Sequence, residues 1–235
     1  MFFNKTKFII FTFVFVIFTI IGTLSHELGH LIVAKAVGFK DTELHYGSMK
    51  SDNLPLENEY IAFYKKNKYF IDNQLPYKEK ETHLKNGKLI RQKHFLVTLG
   101  GPLQTILTGL IGLLILFFRR KKYPKKFTLL DWFAVFLSLF WLREIFILLT
   151  GFFFKIIDSK NKIFGGDEYY LSLRLHIWEG TISLFLGFIG FFISVFIVFK
   201  VIPKKLRFIF IVAGLLGGML GFALWFGYLG PILLP

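Results

Sequence analysis

Long apolar runs alternate with shorter polar segments along this chain of 235 residues. The runs cover about 8–37, 95–118, 127–157, 181–202 and 208–234. Each reaches the roughly 20 residues that a helix needs to cross a bilayer. The pattern therefore predicts an all-α polytopic membrane protein with about five transmembrane helices. Residues 1–235 read as a single membrane-embedded domain, with 39–93 as a polar inter-helix segment within it. In that segment Thr42-Glu43-Leu44-His45-Tyr46 alternates, which suggests a short strand ending at Gly47-Ser48. The third run carries Arg143 and Glu144 in its middle. It is too short for two crossings and a turn, so it reads as one crossing. Facing lipid, those two charges would cost several kcal/mol, so they are expected to turn inward and pair.

Composition sharpens this picture. The chain is 54% hydrophobic with 32 Phe, which excludes a soluble domain of this length. The net charge of +14 comes from Lys and Arg that mostly flank the apolar runs. Anionic headgroups of the lipid bilayer, and not nucleic acid, are the expected partner of that charge. Twelve basic residues fall on the side of the N-terminus and fifteen on the other, so the charge rule leaves the orientation open. The basic stretch from Arg119 to Lys126 reads as a solvated turn at a membrane face. Residues 1–24 look like a signal peptide, but the apolar run continues beyond them and reads as a retained span. A bacterial cell membrane is the expected location.

With no Cys in the chain, a transition-metal site has to use His, Asp or Glu. Near the end of the first run stands Ser25-His26-Glu27-Leu28-Gly29-His30. Four residues apart on a helix, His26 and His30 share one face. Two imidazoles so placed can hold one zinc ion, and Glu27 beside them can take a proton from a water at the metal. Gly29 removes a side chain there and lets another backbone approach. From Phe8 to His26 is 18 residues, or about 27 Å of helix. The pair is thus expected near the membrane face opposite the N-terminus. His45, His83 and His94 read as solvated residues, not ligands.

The stretch from His26 to Lys35 resembles the first transmembrane helix of the site-2 protease-like intramembrane zinc metalloproteases. Leu99-Gly100-Gly101-Pro102-Leu103-Gln104-Thr105 resembles the Gly-Pro motif that opens that family's second core helix. Where the family carries Asn, this chain has Thr105, preceded by Gln104. Gly101, Pro102, Gln104, Thr105 and Arg143 are the further candidates for shaping the site or binding substrate. The resemblance implies a third zinc ligand from an Asp in a later segment. Asp167 is the first candidate, although Glu168 stands where the family has Gly; Glu168 and Asp158 come next.

Chain parity agrees with this. Three crossings bring the His pair, the Gly-Pro motif and Asp167 to one face of the membrane. The resemblance implies one Zn2+ per chain and hydrolysis of a peptide bond in or near a transmembrane segment of a membrane-protein or peptide substrate. The alternative is a catalytically inactive relative that binds a membrane protein or a metal. Substrate identity and oligomeric state are not legible in the sequence.

Overall fold

The computed structural model describes residues 4–123 and 127–235. Over these residues it is an all-α membrane-type fold with one two-stranded sheet. Among the described residues, five helical stretches are long and apolar enough to cross a membrane: Lys5–Val37, Lys80–Lys122, Leu129–Ile157, Thr181–Val201 and Lys204–Leu233. Large apolar side chains point outward along them, among them Phe117, Phe118, Phe185 and Phe188, each more than 60% exposed. In water such a surface would aggregate; against lipid tails it is expected. The chain is consistent with a multi-pass membrane protein.

The first helix, α1 (Lys5–Val37), starts where Asn4 accepts a hydrogen bond from the Lys7 amide. It ends at Gly38, whose φ of 96° is open to glycine at little cost. Strands β1 (Glu43–Leu44) and β2 (Met49–Lys50) then pair antiparallel, so the strand expected at 42–46 is shorter than its pattern suggested. Two amphipathic stretches follow: α2 (Pro55–Asp72) and the opening of α3 (Lys80–Lys122).

Here the structure departs from the sequence reading. The second long helix begins at Lys80 and not near Phe95, so Pro102 lies deep inside it and does not open it. Residues 80–94 hold no proline and pack against α2. Tyr60 stacks on the His83 ring at 4.3 Å, and Phe63 lies against it at 5.1 Å. His83 is therefore buried and not solvated. His94 pairs with Glu57 at 3.1 Å, and half-buried His45 contacts the Pro235 carbonyl.

The third span is α4 (Leu129–Ser138), a 3₁₀ turn at Leu139–Trp141, and α5 (Leu142–Ile157). It is one crossing, as expected, but the helix tightens just before Arg143. The basic turn reaches residues 124–126, which lie outside the described residues. Within it Arg119 is not a solvated charge: it pairs with Asp131 at 3.1 Å, and Asp131 caps α4.

A short helix, α6 (Gly166–Arg174), leads to α7 (Thr181–Phe196), α8 (Arg207–Leu224) and the terminal turn α9 (Gly230–Leu233). α8 packs on α1 so tightly that a Cβ at Gly217 would lie 2.5 Å from the Thr12 carbonyl oxygen. The main core gathers Phe11, Phe15, Phe136, Ile197, Phe210 and Ala213 around the N-terminal half of α1. That packing fixes α1 against α4 and α8 and leaves its other half free to build a polar centre with α3, α5 and α6.

Candidate metal centre

His26 and His30 lie on one face of α1, one turn apart, and both are buried. Their neighbour is α3, which comes unusually close because two glycines meet. A Cβ at Gly29 would stand 2.5 Å from the Gly100 carbonyl oxygen, and one at Gly100 would stand 2.6 Å from that of Gly29. This contact brings the α3 backbone to the imidazoles. His30 Nδ1 lies 2.7 Å from the Val97 carbonyl oxygen, which can only accept, so Nδ1 carries the proton and donates it. His26 Nδ1 lies 2.9 Å from Thr105 Oγ1, which can accept likewise. In both rings the Nε2 lone pair is then left for the site.

Asp167 reaches the same place from α6. Gly165 and Gly166 turn the chain into that helix, and Gly166 does so with a φ of 72°. Asp167 Oδ2 lies 2.9 Å from His26 Nε2 and 3.2 Å from His30 Nε2, while the two Nε2 atoms are 3.2 Å apart. These three donor atoms form a nearly regular triangle. Three lone pairs so close repel one another unless a proton or a metal ion lies among them.

Glu27 is half-buried, and its carboxylate lies within 4.8 Å of the ligand atoms of both histidines. This His-Glu-His group can hold a metal ion. The Met49 amide of β2 faces the Glu27 carboxylate, so the small sheet borders the site. Gly101 keeps a side chain away from the imidazoles: a Cβ there would collide with Nε2 of both His26 and His30.

The other sequence candidates divide. Pro102 and Thr105 are buried in the α1–α3 contact, and Thr105 orients His26. Gln104 turns away and donates to Thr108 Oγ1 at 2.9 Å. Glu168 does not meet the histidines; it accepts from Arg143 Nη1 at 3.0 Å. Asp158 is exposed and accepts from the Lys160 amide, apart from the centre. Arg143, read mainly as an internal ion pair, also reaches the site: its Nη2 lies 2.9 Å from His26 Nε2. The Val97 carbonyl went unseen in the sequence, because a backbone acceptor leaves no mark there.

No protein-family model, curated protein or solved structure matches this chain. What the centre can do therefore has to be argued from its own residues.

Proposed function

We propose that this chain is a zinc metalloprotease that hydrolyses peptide bonds at or within the membrane, similar to the site-2 protease-like enzymes. The observation that carries this reading is the donor triangle beside Glu27. A tetrahedral zinc with ligands at about 2.0 Å has ligand atoms about 3.3 Å apart. The sides of 2.9, 3.2 and 3.2 Å fit that edge. Two imidazoles and one carboxylate are a donor set of the type found in zinc hydrolases, which keep a fourth position open. His26, His30 and Asp167 would hold the ion, one per chain.

A zinc ion there supplies Lewis acidity to a water molecule and to the scissile carbonyl. Glu27 takes the water proton as the water oxygen bonds to the carbonyl carbon and the carbonyl electron pair moves onto its oxygen. Glu27 then passes that proton to the peptide nitrogen as the C–N bond breaks. Thr105 and Val97 keep both imidazoles in the tautomer this requires. A transmembrane helix hides its carbonyls in its own hydrogen bonds, so substrate has to unwind locally. The half-buried Glu27 favours an enzyme over an idle relative, because a binding module has no use for a base beside its metal.

The test is cleavage in proteoliposomes. Zinc-loaded protein is expected to cut single-span peptides carrying a Pro-Gly pair in preference to matched Leu-rich spans. Glu27→Gln is expected to cut neither. Cleavage that survives Glu27→Gln would overturn the reading.

A further inference from the structure

The guanidinium of Arg143 has two ends in two environments. Nη1 is anchored by buried carboxylates, at 3.0 Å from Glu168 and 3.5 Å from Glu144. Nη2 points the other way, 2.9 Å from His26 Nε2 and 3.5 Å from Asp167 Oδ2. The Arg143 side chain keeps 26% of its surface accessible, whereas those of Glu144 and Glu168 keep 1% each. The anchored end is sealed and the other end faces the centre. An ion pair that served stability alone would need only the first.

We propose that Arg143 is a catalytic residue that donates from Nη2 to the substrate oxygen that turns negative when water adds to the scissile carbonyl. This rests on the peptide-hydrolysis reading above. Once His26 Nε2 gives its lone pair to a metal, that atom no longer accepts from Arg143. An Nη2 proton is then free for an oxygen drawn to the centre. Imidazoles aside, Arg143 brings the only side-chain N–H among the described residues to the three donor atoms. Gln104 and Thr105, at the position where an amide donor was expected, are engaged elsewhere.

The anchoring makes the donor effective. Nη1 donates to Glu168 and lies within ion-pair reach of Glu144, so little rotamer freedom remains to be lost at the moment of reaction. The ion pair with Glu168 also offsets the positive charge, so Arg143 does not act as a free cation selecting acidic peptides. Its electrostatic advantage goes to a charge that develops only in the transition state. As water adds, the carbonyl electron pair settles on that oxygen against Nη2, and it returns to re-form the carbonyl when the C–N bond breaks.

The test uses full-length protein in detergent, loaded with zinc, and two probes of matched sequence. One is a phosphinic peptide, tetrahedral and anionic like the hydrated peptide bond. The other is a mercaptoacyl peptide, which presents a single thiolate. Arg143→Gln is expected to keep its zinc, to lose phosphinate affinity by about 100-fold or more, and to change thiolate affinity by less than about tenfold. Arg143→Lys, which keeps a cationic donor, is expected to recover part of the phosphinate affinity. Equal loss for both probes, or no loss for either, would overturn the proposal and leave the protease reading standing. Loss of zinc in both variants would assign Arg143 to structure and likewise overturn it. A wild-type protein that binds zinc but neither probe would overturn the protease reading itself.

Discussion

Asp167 Oδ2 lies 2.9 Å from His26 Nε2, although 141 residues separate the two in sequence. Contact at that distance depends on α5 crossing once and on Gly166 turning the chain back. Asp167 is thus the carboxylate that completes the triangle, while Asp158 is exposed and Glu168 is committed to Arg143. Asp158→Ala is expected to keep wild-type metal content, measured by elemental analysis of purified protein.

Thr105 holds His26 through Nδ1 at 2.9 Å. Thr105→Val keeps the volume and removes the acceptor. Metal affinity, read by chelator competition, is expected to fall by about 10–100-fold. Helical content by circular dichroism should stay unchanged.

Gly101 is where one methyl group would do most damage to the centre. Gly101→Ala sets a Cβ against both Nε2 atoms and is expected to abolish metal binding in a protein that still inserts and folds. Gly22→Ala is the matched control on α1: nothing lies within 4 Å of its Cβ position, so its metal content should equal wild type.

Asp131 serves the opposite end of the bundle. It is buried, paired with Arg119 and capping α4 through Thr128. Asp131→Asn is expected to lower the thermal unfolding midpoint and to leave metal content at wild type, which separates fold from site.

Much of the fold was legible because lipid demands long apolar runs, and five of them stand out. The His26, Glu27, His30 group was legible because helical periodicity puts two imidazoles on one face with a carboxylate beside them. Asp167 came from the family resemblance, and parity only put it on the same membrane face as the His pair. The start of α3 was not legible: the polar residues 80–94 resemble a loop until α2 packs on them and buries His83. Nor was the split role of Arg143, because the sequence places it beside Glu144 and gives no hint that α6 delivers Glu168 to one end and Asp167 to the other. Backbone partners such as the Val97 carbonyl and the Met49 amide appear only once helices and strands have docked.

The most direct test of the central claim is the zinc content of purified wild-type protein beside His26→Ala, Asp167→Ala and Glu27→Gln. The account predicts about one zinc per chain in wild type and in Glu27→Gln, and its loss in the other two. A wild-type protein without zinc under metal-replete conditions, or an Asp167→Ala variant that keeps it, would contradict the account.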